Sequence, residues 1–203
     1  MTRKRLLSCI ALAASLTCTS PVWAHPGHLD LQNGSAFIAG LLHPLTGLDH
    51  ILAMVAVGLL AFNLGGRALW AIPASFIFAM IGGGALAMAG VHLPMVESAI
   101  ATSVLVIGLL VAMQTSLSTP TAALIVASFA LFHGHAHGTE MPANASAFGY
   151  VLGFITATAA LHASGILAAI AASKWSLRYS QSVLRITGGL VAAAGLALTA
   201  STF

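Results

Sequence analysis

The run TPTAALIVASFALFHGHAHGTE, Thr119 to Glu140, decides what kind of chain this is. It begins as apolar as any membrane segment. It closes on three imidazoles and a carboxylate, His133, His135, His137 and Glu140, within eight residues. Counted only to Phe132 it holds 14 residues, about 21 Å of helix against a hydrocarbon layer of about 30 Å. It approaches a full span only if the helix continues through His133 to Gly138. The histidines are therefore expected at the embedded end of a helix. Apolar surroundings disfavour polar groups without partners. A cluster kept there asks for a ligand, and imidazole with carboxylate suits a divalent transition metal.

Outward from this run the same apolar character repeats. The chain has 203 residues, 59% hydrophobic and 5% charged, where a soluble domain carries about 25% charged residues. Apolar runs cover approximately 36–62, 69–90, 94–114, 119–137, 146–172 and 181–202. The expected fold is an all-α, polytopic membrane protein: one domain, residues 25–203, with six transmembrane helices. The formal net charge is +3, but Arg3, Lys4 and Arg5 stand together at the N-terminus. Beyond them basic and acidic residues balance, so no basic surface points to nucleic acid.

Residues 1–24 read as a signal peptide: a basic start, an apolar stretch from Leu6 to Cys18, and Val22-Trp23-Ala24 as a cleavage site. Cleavage there removes Cys9 and Cys18, the only two cysteines. Any metal must then be held by nitrogen, oxygen or thioether. The new terminus carries His25 and His28, a loose and exposed pair. Pro26 lacks the backbone amide that a tight amino-terminal copper site uses. Positive residues stay inside, so Arg67, Lys174, Arg178 and Arg185 are expected in the cytoplasm. Both termini of the mature chain, and every acidic residue, then face the periplasm of an inner-membrane protein.

A second cluster stands at His43-Pro44-Leu45-Thr46-Gly47-Leu48-Asp49-His50. Proline disfavours helical geometry at the preceding residue. A break is expected at His43, with a helix restarting near Thr46 and Thr46-x-x-Asp49 as a capping-box variant. His43, His50 and Met54 are expected on one face, with Asp49 adjacent. In the later cluster His133, His137 and Glu140 share one helical face. His135 points elsewhere if the segment is helical and joins them if it is extended. The two clusters are expected to meet around one ion. His162 is either bonded to a neighbouring helix or a further ligand on the pathway; Thr158 and Gly165 lie on its face. His92 and Glu97 read as solvated loop residues, and Met80 and Met88 as core.

The pattern His43-Pro44-x-x-Gly47-x-Asp49-His50-x-x-x-Met54, followed by Phe132-His133-Gly134-x-Ala136-His137-Gly138-x-Glu140, resembles the HupE/UreJ family of bacterial metal permeases. Gly153-Phe154 and Leu161-His162-x-x-Gly165 look like the same family's fifth span. The resemblance implies secondary uptake of nickel, or in some members cobalt, into the cytoplasm, for hydrogenase or urease. It also implies that His43, Asp49, His50, His133, His137 and Glu140 are the transport residues, and that the variable position of His135 bears on metal preference. No permanent cofactor is expected; Ni²⁺ or Co²⁺ is cargo. The sequence holds no P-loop, and leaves the homo-oligomeric state open. An intramembrane zinc-dependent hydrolase, its water activated by Glu140 or Asp49, is the alternative of a different class. A haem cytochrome would need paired axial histidines deep in the membrane, and only His162 is deep.

Overall fold

The computed structural model describes residues 36–141, 145–174 and 177–202. All its regular structure is helical: α1 (Ala36–Thr46), α2 (Leu48–Leu64), α3 (Ala68–Met88), α4 (Val96–Ala112), α5 (Thr119–Glu140), α6 (Ala147–Ser173) and α7 (Leu177–Ser201). The signal peptide expected over residues 1–24, with His25 and His28, lies outside the described residues.

Among the described residues, three helices are long and apolar enough to cross a membrane: Ala68–Met88, Ala147–Ser173 and Gln181–Ser201. The α1–α2 pair passes the same criterion as a bent unit. The surface agrees with an apolar solvent. Phe78, Leu124, Phe148 and Leu190 are exposed, while the imidazoles of His133 and His162 are buried. A water-soluble domain has the opposite distribution.

Helix α5 continues through all three histidines to Glu140. Ser118 caps it, its side chain accepting from the Thr121 amide, and Pro120 occupies the first turn, where its missing N–H costs nothing. The break in the first apolar run is displaced from its expected place. Pro44 lies inside α1, and the chain turns by 84° at Gly47 instead. The proline effect on His43 is a preference, and α1 overrides it. Gly47 is extended (φ −96°, ψ 123°). A β-carbon there would meet Asp49 Oδ1 and His50 Nδ1, each at 2.7 Å. Only glycine lets that pair fold back over the turn. The expected capping box does not form either. Thr46 donates its hydroxyl to the His43 carbonyl at 2.7 Å, and Gly47 takes the cap position.

Helices meet where side chains are smallest. Along α3 and α5, a β-carbon on Gly134 would overlap the Met80 carbonyl, and one on Gly138 would lie 2.8 Å from the Gly84 carbonyl oxygen. Gly40 of α1 presses on Tyr150 of α6, and Gly58 of α2 on the backbone of His162. Small residues at such crossings let helices approach in lipid, where apolar burial gives no drive. The Gly134/Gly138 face of α5 is spent on α3. One residue earlier is a turn of about 100° around the axis, so His133 and His137 are aimed elsewhere, toward α2 and α4.

Candidate metal site

The two clusters meet. Ligand atoms of His50, His133 and His137 all lie within 4.8 Å of one another. A second trio, His43, His137 and Glu140, meets the same limit and shares His137. The rings of His50 and His137 are 4.5 Å apart, those of His43 and His137 4.8 Å. A metal holds imidazole nitrogens at about 2.0–2.1 Å, hence neighbouring nitrogens about 3 Å apart. The trios need close only slightly on an ion.

Hydrogen bonds decide which atoms remain for that ion. His50 Nδ1 donates to Asp49 Oδ1 at 2.7 Å, which leaves Nε2 as its ligand nitrogen. Asp49 also accepts from the His50 amide at 2.8 Å. Ser103 donates its single hydroxyl proton to the Ile100 carbonyl at 2.6 Å. It must therefore accept from His133 Nε2, 3.0 Å away. This fixes the tautomer of His133 and leaves Nδ1 with its lone pair, buried and without a hydrogen-bond partner. A carboxylate or hydroxyl behind a ligating imidazole orients it in this way in many metal sites. His43 Nε2 donates to Glu140 Oε2 at 2.9 Å. Glu140 also lies 3.8 Å from His137 Nδ1, so that carboxylate bridges the two clusters.

Two segments far apart in the chain thus converge on one point. A family model described as "HupE / UreJ protein" matches residues 12–198. The chain belongs to the HupE/UreJ family. Protein HupE of Rhizobium leguminosarum bv. viciae is 50% identical over 189 residues, covering 91% of this chain and 93% of that protein. No solved structure matches. Membership carries the implication drawn from the motifs, a transporter-type role toward nickel or cobalt. The apolar helices agree with a multi-pass membrane protein.

Within this HupE/UreJ chain the expected residues divide. His43, His50, His133, His137 and Glu140 supply the two trios. Asp49, buried at the start of α2, stands behind His50. His135 follows the helical alternative: its Nε2 donates to the Val91 carbonyl at 2.7 Å, away from the trios. Met54 is fully buried in the apolar core. His92 and Glu97 are exposed. His162 is buried and belongs to neither trio.

Two neighbours of the cluster, Ser103 and Phe76, escaped the sequence, and a third, Phe154, was noted there only as part of the family-like pattern. Ser103 stands in an apolar run, and its role depends on α4 passing beside α5. Phe154 packs against His137, ring centres 4.0 Å apart. Phe76 packs against both His133 (5.5 Å) and His162 (5.0 Å). For Ser103 the signal was a polar residue among aliphatic ones. For Phe76 there was none, since aromatic residues in apolar helices ordinarily fill space; for Phe154 the signal was the Gly153-Phe154 pair in the family-like pattern.

Proposed function

We propose that this protein is a secondary permease that takes up a divalent transition metal, Ni²⁺ first and Co²⁺ as the alternative, from periplasm to cytoplasm. The observation that carries the reading is the convergence of His50, His133 and His137, adjoined by His43 and Glu140. In this reading the bent α1–α2 unit and α3 to α7 make six spans. Helix α4 has 17 residues, about 26 Å, and crosses with its flanking turns. Arg67 stacks over the exposed Trp70 ring at 5.9 Å, a pair suited to the cytoplasmic interface. The cluster end of the bundle then faces the periplasm, the signal peptide is cleaved, and both mature termini are periplasmic. The bilayer and the metal ion are its partners, and the delivered metal serves hydrogenase or urease maturation.

The hydrated ion meets Glu140 and His43 first, because they are only partly buried while His50, His133 and His137 lie beneath. Carboxylate charge draws the cation and imidazole nitrogens replace its water. Nitrogen and oxygen donors of borderline softness suit Ni²⁺ and Co²⁺. Inward movement is favoured by about 2.3 kcal/mol per charge per 100 mV of inside-negative potential.

Transport fits these groups better than hydrolysis. Ser103 accepts from His133 rather than donating to it, so Ser103 is not activated as a nucleophile. Glu140 is engaged with His43, and Asp49 with His50, rather than poised over a water. Uptake of radioactive nickel, competed with cobalt, zinc and copper, tests the reading in cells carrying the wild type, His133→Ala or Asp49→Ala. Both variants should lose uptake. Wild-type rates in either would count heavily against a permease of this design.

A further inference from the structure

His162 lies at the middle of α6, 1% exposed, and neither of its ring nitrogens has a hydrogen-bond partner. Burying an imidazole without hydrogen-bond partners carries a desolvation penalty. Such a group inside a membrane protein marks a pathway more often than a packing choice. Phe76 stands edge-to-face against His162 at 5.0 Å, the planes at 83°. The same phenyl ring meets His133 at 5.5 Å. Thr158, one turn before His162 and fully buried, lies 3.9 Å from the Met80 sulfur.

Depth follows from counting along the helices. Phe154 of α6 is level with His137 of α5, their rings touching. Four residues of α5 lead from His137 to His133, about 6 Å. Eight residues of α6 lead from Phe154 to His162, about 12 Å. His162 is thus about 6 Å further from the cluster end of the bundle than His133. The Phe76 ring is in contact with both imidazoles.

We infer that His162 is a second metal station, deeper than the trios, and that the Phe76 side chain is the partition an ion passes to reach it. This rests on the permease reading above. An ion leaving His133 needs a nitrogen donor before any water is available, and His162 is the buried imidazole across the partition. The Thr158 hydroxyl and the Met80 thioether, an oxygen and a soft sulfur, stand one turn away on facing helices. A single imidazole with weak neighbours holds an ion loosely, as a release step requires. The outer trios capture; the inner station passes on.

The two roles separate in kinetics. Purified wild type, His162→Phe and His162→Gln are compared by equilibrium binding of radioactive nickel in detergent. Their uptake is measured in proteoliposomes under an inside-negative potential. Binding should stay within about twofold of wild type, because the trios are untouched. Maximal uptake should fall about tenfold in His162→Phe with KM little changed, and less in His162→Gln. Wild-type uptake in His162→Phe overturns the inner station. So does loss of nickel binding in both variants, which would make His162 part of the outer cluster. A wild-type protein that neither binds nor moves nickel defeats the permease reading itself, and is seen before any variant is compared.

Discussion

The α3–α5 pair and the α4–α7 pair are built alike. In the first, Gly134 and Gly138 lie against Met80 and Gly84; in the second, Gly108, Gly188 and Gly195 lie against Ala192, Ala112 and Leu105. Both crossings rest on glycine and bare backbone. They part in what else they bury. Helix α5 buries His133, His135 and His137. The described buried residues of α7 are Leu184, Gly188, Val191, Ala192, Gly195 and Leu198. Glycine contact is therefore how this chain packs in lipid, and it does not by itself select a site. The candidate site arises where histidines are interleaved with the glycines, so that one face of α5 is committed to α3 and the next carries the imidazoles of the proposed metal site. The α4–α7 pair is the scaffold against which the α3–α5 pair can be judged.

The sharpest way to break that comparison is His137→Ala, because His137 alone belongs to both trios. Nickel uptake should drop about a hundredfold or more, while the protein remains folded in detergent. Next come matched packing variants, Gly134→Val and Gly188→Val. Each overfills a helix crossing and should cost about 1–3 kcal/mol, read as a lowered melting temperature. Only Gly134→Val should also lose nickel binding in the fraction that stays folded. Equal loss of binding in both would mean that the two pairs are not separate in function.

Smaller effects sharpen the account of orientation. Asp49→Asn keeps an acceptor for His50 but removes the charge behind it, and should weaken nickel binding about tenfold. Ser103→Ala frees His133 to take either tautomer. A loss of about threefold in affinity is expected, restored by Ser103→Thr. Isothermal titration of purified protein checks both. Failure of threonine to restore binding would assign Ser103 to packing instead.

Much of this was legible from hydropathy and spacing. The run expected over 69–90 is helix Ala68–Met88, and that over 146–172 is Ala147–Ser173. Length alone required α5 to carry its histidines inside the helix, and it does. The i, i+4 spacing put His133 and His137 on one face, and His135 took the other direction. The break at Gly47 was not legible, because proline signals a local preference while the turn is set by Asp49 and His50 folding over a missing β-carbon. The place of Asp49 was half legible: a carboxylate in an apolar setting needs a partner, but only the structure shows that the partner is His50. Ser103 stood out only as a polar residue among aliphatic ones, because its meaning depends on which helix α4 passes. Tertiary contact, not periodicity, assigned it.

The central claim is that one ion is held by imidazoles from two segments far apart in the chain. X-ray absorption of nickel bound to the purified protein tests it most directly. The wild-type spectrum should show a nitrogen and oxygen shell with outer-sphere scattering from several imidazoles. His50→Ala and His137→Ala should each remove one imidazole from it. A wild-type shell without imidazole scattering, or a spectrum that only one of the two variants changes, would contradict the account.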